Sequence, residues 1–376
     1  MPDIVSLIAL AFLFGTFIGS FLNVCVHRLP RNESVVNPPS RCYACGTHLT
    51  WYDNLPVIGW LLVWGRCRWC GTSFSVRYLF AELGVGVLTA GTAWWVLANG
   101  SPWIGVLSLP VALGAAFAAL LVLVWTLYVS SLIDIDHLII PDEITKSFQL
   151  IAPFLALAAG TCVAIEDPLP AQWLVRFDVF HVATYDAKNL LLNLGMVGGV
   201  ALVALLASVP LARWIYSSFT ANAPWSDEDH RGFRLGVWWF AACTVVHLLA
   251  FAALVLIQPG TWWVLGSVIF GQAILGSLAG WFSLYVVGFL GTMAFRRNAM
   301  GFGDVKFLAP IGAFLGPVGV LYAFFGAAIV GTVIGLPMRL FKSTREIPFG
   351  PYLAIGALLA LIFGRRVHEQ LFAGLL

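Results

Sequence analysis

Two groups of side chains carry chemistry in an otherwise apolar sequence. The first is Cys42, Cys45, Cys67 and Cys70, in the segments "CYAC" and "CRWC". Cysteines paired in two such knuckles suit tetrahedral Zn²⁺, whose structural sites take four protein ligands and keep no open position for catalysis. Two disulfides or four unrelated thiols are the alternatives. A reducing cytoplasm disfavours the first and the paired spacing disfavours the second. His48 could replace one thiol but is expected to face solvent, while Cys25, Cys162 and Cys243 lie in apolar stretches and read as small packing residues. The second group is Asp134, Asp136 and Asp142 in "SLIDIDHLIIPDEIT", with Asp304 in "AMGFGDVKFLAP". A carboxylate at the hydrocarbon centre costs about 2.5–3.5 kcal/mol, so carboxylates in such runs usually line a cavity and serve a function. Two aspartates held around one water cannot easily both ionise: one keeps its proton and polarises a peptide carbonyl, while the other activates the water that attacks it. Gly301 and Gly303 lack a Cβ, so they permit positive φ and close approach of a substrate backbone to Asp304. Lys306 is close in sequence, and pairing it with Asp304 would favour the ionised form. Asp142, before "EIT", is also well placed simply to cap a helix.

The elements that must position these groups are membrane helices. The 376 residues are 60% hydrophobic and 10% charged, with a mean hydropathy of +0.90, which excludes an ordinary soluble domain. Windows of about 20 apolar residues predict ten spans, at roughly 4–26, 80–98, 104–133, 145–165, 191–212, 237–257, 268–295, 305–318, 319–338 and 350–364. The eighth is short enough to be a broken or re-entrant helix. The expected fold is therefore an all-α polytopic membrane protein of about ten transmembrane helices, carrying a small cytoplasmic zinc-binding loop. The first segment has no basic region before it and reads as a retained anchor. With the amino terminus outside, all but four of the 20 Lys and Arg residues (Arg176, Lys188, Arg365 and Arg366) fall in inner loops, as the positive-inside rule requires. A net charge of +2 gives no reason to expect nucleic-acid binding.

Outside the spans, three further features stand out. Residues 166–190 alternate Arg176 and Asp178 with Val175, Phe177 and Val179, a period of two that predicts an interfacial strand or hairpin. Residues 213–236, with "WSDEDHRGFR", read as a solvated inner loop. Gly15 with Gly19, and Gly276 with Gly280, are small residues four apart that suit close helix packing. Gly84 and Gly86 form a GxG inside a span, which is not a nucleotide loop.

"GFGD" matches the GxGD motif of intramembrane aspartyl proteases. "GSFLNVCVHRLP" at 19–30, the two CxxC pairs, "WYDNLPVIGWL" at 51–62, "DIDHLIIPD" at 134–142 and "IPFGPYLAIG" at 347–356 accompany it. Their order resembles that of the type IV prepilin peptidases, over residues 1 to about 165 and 265–365. The resemblance implies that Asp134 and Asp304 are the catalytic carboxylates, with Asp136 and Asp142 supporting them. It implies cleavage of the leader of prepilins and pseudopilins at the cytoplasmic face of the bacterial inner membrane, then methylation of the new amine from S-adenosylmethionine. That second activity is associated with the amino-terminal part, where Asn23, His27, Arg28, Asn54 and Glu82 are the matching candidates; the residues themselves show no recognisable S-adenosylmethionine loop. Leu79 stands where a proline is common. The resulting division is a first helix (1–26), the zinc loop (27–79), a bundle with the first aspartate (80–165), an insertion (166–262) and the GxGD region (263–376). The insertion brings two further spans, an even number, so both aspartates stay on one side; the residues give no physical account of its use, and pilus or type II secretion machinery is a candidate partner. The competing reading is a proton- or cation-coupled transporter using the membrane-edge aspartates. A relay would continue ionisable groups through the bilayer, and the span centres are nearly empty of them.

Overall fold

The protein was described by a computed structural model covering residues 3–99, 109–163, 199, 227–257, 261–296, 300–335, 337–338 and 348–372. The chain opens on α1 (Ile4–Arg28), whose first turn is capped by Asp3 accepting the Ser6 N–H at 2.8 Å. After a short 3₁₀ turn come the cysteine loop with its single-turn helix α2 (Ile58–Leu62), then α3 (Arg77–Asn99), α4 (Leu109–His137) and α5 (Asp142–Val163). Beyond them lie α6 (Asp227–Ile257) and α7 (Thr261–Phe295). The helical run Phe302–Val330 is interrupted at Gly316, with φ 69° and ψ 173°, and is treated as α8 (302–315) and α9 (317–330); α10 (Gly350–Phe372) follows. Among the described residues there are no strands, only two isolated β-bridges.

Among the described residues, six stretches are long and apolar enough to cross a membrane: Ile4–Arg31, Arg77–Ala98, Leu113–His137, Arg231–Ala253, Ile269–Phe295 and Phe302–Gly335, with Gly350–Gly364 a shorter apolar helix. The last long stretch is not one rod. Gly303 packs on Ile140 and Gly350 on Asp134, which places both at the end carrying Asp134; Gly331 touches Tyr352, two residues into α10. A straight helix would separate Phe302 from Gly331 by about 43 Å. The chain instead reverses at Gly316 and Pro317, so that Val320 returns beside Gly312, and α9 runs back along α10 through Gly326 against Gly356. At 14 residues, or about 21 Å, α8 is shorter than the roughly 30 Å hydrocarbon layer. Eight further expected spans correspond to helices; the fifth, at 191–212, lies outside the described residues, as does the alternating segment 166–190.

One expectation is corrected. The acidic run read as loop is helical from Asp227 onward. Asp227, Glu228 and Asp229 stand at the positive end of α6, and Phe233, Val237 and Phe240 then follow at helical spacing and are buried.

Helix α8 is the axis of the core. Val305, Phe307, Leu308, Ile311 and Phe314 are all buried, as expected for a helix apolar on every side. The glycine pairs set the helix spacing as the sequence suggested. A Cβ on Gly276 would lie 2.0 Å from the Gly312 carbonyl oxygen, and one on Gly280 2.4 Å from that of Leu308. Gly15 and Gly19 make the same close approach to α3, at Thr89 and Glu82.

Candidate active site and metal centre

Helix α4 ends immediately after its aspartates. Leu138 takes a left-handed φ of 56° and donates its N–H to the Asp134 carbonyl at 2.9 Å, closing the helix before Pro141 starts α5. Asp134 is thereby buried, 5% exposed, at the helix end. Its Oδ2 accepts the backbone N–H of Gly350 at 2.8 Å, from the first turn of α10, where helix N–H groups have no intrahelical partner. Asp304 lies in the first turn of α8, half-buried, and near enough to Asp134 for the two charges to interact. Neither Gly301, with φ −69°, nor Gly303 uses the left-handed region. What matters is the missing Cβ: one on Gly301 would lie 3.4 Å from Asp304 Oδ2, and one on Gly303 3.5 Å from Ile140. Lys306 points away from Asp304, lying over the Phe302 ring and pairing with Asp142. Asp142 also holds Lys146 at 2.8 Å, so it ties α5 to α8. Asp136 is exposed and pairs with Arg77 at the start of α3.

The four cysteines converge. Their Sγ atoms lie within 4.8 Å of one another, with 3.8 Å between Cys42 and Cys70 and 3.9 Å between Cys45 and Cys67, a cluster that could hold a metal ion. The two knuckles are copies of each other, a repeat legible as Arg-Cys-x-x-Cys-Gly-Thr at 41–47 and 66–72 but missed by attention to cysteine spacing alone. In each, the first cysteine exchanges backbone hydrogen bonds with the threonine and glycine, the glycine has φ near 70°, and the threonine hydroxyl lies 3.3 Å from the second sulfur. The Thr72 hydroxyl and N–H lower the Cys70 thiol to about 6, and Thr47 lowers Cys45 in the same way. His48 is exposed, as expected.

Between this loop and helices α1 and α3 lies a cavity of about 180 Å³. Asn23, His27, Arg28, Asn54 and Glu82, which come from three separate segments, all line it. Glu82 is 9% exposed, and its carboxylate accepts the Val57 N–H at 2.7 Å, fixing Val57 at a φ of 62° that a β-branched residue rarely takes. The Asn23 amide donates to the Tyr78 carbonyl at 3.1 Å, and His27 meets the Tyr43 hydroxyl at 3.1 Å. Asp53, also in the lining, is opposed by burial, but the Thr50 hydroxyl and the Arg68 guanidinium, 2.6 Å away, hold its carboxyl below the ordinary range.

The structure thus places a GxGD carboxylate and a second aspartate at one end of a bundle of long apolar helices. The profile of the bacterial peptidase A24 N-terminal domain matches residues 13–96, and that of the type IV leader peptidase family matches 232–336, a range that takes in most of α6. The "Prepilin leader peptidase/N-methyltransferase" of Aeromonas hydrophila is 25% identical over 383 residues, 95% of this chain and 90% of that protein. The protein of that name from Pseudomonas aeruginosa is 25% identical over 391 residues, 96% of this chain and 93% of that one. The one from Myxococcus xanthus reaches 38% over 149 residues, 40% of each. No solved structure matches. The chain belongs to the type IV leader peptidase family. The transporter reading finds no support in these relationships.

Proposed function

We propose that this protein removes the leader peptide of type IV prepilins and pseudopilins and then methylates the new amino terminus, at the cytoplasmic side of a bacterial inner membrane. The observation that carries the hydrolase reading is that α4 and α8, distant in sequence, deliver Asp134 and Asp304 to one end of the bundle. The two carboxyls share one proton. The ionised member takes a proton from a water, whose oxygen bonds to the scissile carbonyl carbon. The protonated member donates to the carbonyl oxygen, and collapse breaks the C–N bond as the amine takes a proton. The Gly350 N–H fixes one oxygen of Asp134 so that the other is free to face water. The distribution of lysine and arginine, read with the positive-inside rule, supports an inside location for this end.

Zn²⁺ is the metal proposed for the cysteine cluster. Four sulfurs at about 2.3 Å from a tetrahedral centre are about 3.8 Å apart, which matches the 3.8 and 3.9 Å separations here. Its role is to hold the loop. S-adenosylmethionine, when bound, supplies an electrophilic methyl group to the freed amine.

The deciding experiment is processing of a leader-bearing prepilin by purified wild type and Asp304→Asn, with product masses recorded. Wild type should yield a shortened product heavier by one methyl, and the variant should lose about 10²- to 10⁴-fold in cleavage rate. Undiminished cleavage by Asp304→Asn would remove Asp304 from the mechanism.

A further inference from the structure

We infer that the cavity beneath the cysteine loop is the subsite for the amino-acid end of the methyl donor, with Glu82 meeting its ammonium group and Arg41 and Arg66 its carboxylate. The inference rests on the methyltransferase half of the proposed function.

The cavity lining carries charges of both signs: Glu82 and Arg28 come from the helices, and Arg41, Asp53, Arg66 and Arg68 from the loop. Asp53 is already paired with Arg68, and Arg28 donates to the Ser34 carbonyl, which leaves Glu82, Arg41 and Arg66 to meet a ligand. Glu82, from α3, is a buried carboxylate fixed by the Val57 N–H. Burying such a charge is unfavourable without a cationic partner, and an arriving ammonium provides one. The loop contributes Arg41 and Arg66 to the same lining. These are the residues that precede the first cysteine of each knuckle, and each makes the β-bridge of its repeat, Arg41 with His48 and Arg66 with Ser73. The repeat that gathers four sulfurs around one point therefore also brings two arginines to the lining of one cavity. A guanidinium pair facing a carboxylate is the complement of an α-amino acid zwitterion.

Size decides how much of the donor enters. A site enclosing a whole drug-sized ligand measures about 300–1,000 Å³, and this one is about 180 Å³ and open to one side. It takes the amino-acid end and leaves the remainder of the donor outside, toward the exposed rings of Tyr43 and Trp69 at the rim. The acceptor amine is a poorer fit, because a peptide amino terminus brings a cation but no carboxylate for the arginines.

The test is equilibrium binding of S-adenosylhomocysteine and of methylthioadenosine, which lacks the amino-acid end, to the full-length, metal-loaded protein in nanodiscs. Glu82→Gln should weaken S-adenosylhomocysteine by about ten-fold or more, as expected for losing one charge-assisted contact, and leave methylthioadenosine unchanged. Arg66→Gln, an exposed position with little effect on folding, should weaken the same ligand alone; metal content and helical circular dichroism report folding in both. If both variants bind S-adenosylhomocysteine as wild type does while wild type methylates, the subsite assignment is wrong and the proposed function stands. If the variants lose instead a peptide with a free amino-terminal phenylalanine, the cavity is the acceptor site. If wild type neither methylates nor binds the ligand, the methyltransferase reading falls, and this inference with it.

Discussion

At Gly350 a single methyl group separates two outcomes. A Cβ there would lie 2.8 Å from Asp134 Oδ2, the atom that the Gly350 N–H now holds. Gly350→Ala should therefore displace the carboxylate without touching its charge. A displacement near 1 Å at a reacting group costs about 100-fold in rate, so the expected result is a large fall in kcat with little change in KM, read from processing kinetics. A KM effect alone would reassign Gly350 to substrate binding. The knuckle threonines make a different prediction. With the Cys70 thiol lowered from 9.0 to about 6, its reactive thiolate persists to lower pH than that of an ordinary cysteine. Thr72→Val should raise that thiol and so weaken zinc binding at neutral pH, where the ion must compete with protons for the sulfur; a metal affinity equal to wild type between about pH 6 and 8 would show that the hydroxyl has no such part. The sign is fixed by the hydroxyl bond, which favours the charged form and is lost as pH falls through the folded value. At this scale the sequence was informative wherever the signal was local. Cysteine spacing is a property of a few neighbouring residues, and a carboxylate in an apolar run is conspicuous by itself. The partner of Asp134 was not legible, because Gly350 reaches it only through the packing of α10 on α4, which no local pattern encodes.

Among the elements, α7 and α8 are in backbone contact. Gly276 and Gly312 each face the other's carbonyl oxygen at a distance no Cβ could occupy. Gly276→Ala should destabilise the bundle by about 1–3 kcal/mol through overpacking, seen as a lower midpoint of thermal unfolding in detergent. An unchanged midpoint would mean the two helices are free to separate. Gly276 was legible through its pairing with Gly280 four residues on, Gly312 was not, and the shortness of the span that becomes α8 was. The reversal at Gly316 and Pro317 follows from these: glycine supplies the positive φ, and proline ends the preceding helical geometry. The start of α6 was misread because an acidic run has two meanings, a solvated loop or the first turn of a helix. Burial of Phe233 against Phe302 and Tyr285 decides for the helix, and that contact joins α6 to α7 and α8, far along the chain.

Across the described residues, the cysteine loop, the cavity and the aspartates share one end. The link between them is the first turn and a half of α3: Arg77 pairs with Asp136 on α4, while Tyr78 and Glu82 line the cavity. Exposed ion pairs contribute about 0–1 kcal/mol, so Arg77→Gln should leave thermal stability nearly unchanged. Its expected effect is on transfer between the two chemistries, with shortened but unmethylated product accumulating in single-turnover time courses. An unchanged ratio of the two products would show that the halves act independently.

That shared end bears on what becomes of the substrate after cleavage. A substrate cut at this face that keeps a membrane-spanning segment of its own would stay in the bilayer, and its new amine would not diffuse into bulk water. It would search a membrane surface only, within a short reach of the second site, at the high effective concentration that tethering confers. Two reactions on one chain then behave as an assembly line in two dimensions, in which a modest affinity for the half-finished product suffices because that product never leaves the neighbourhood.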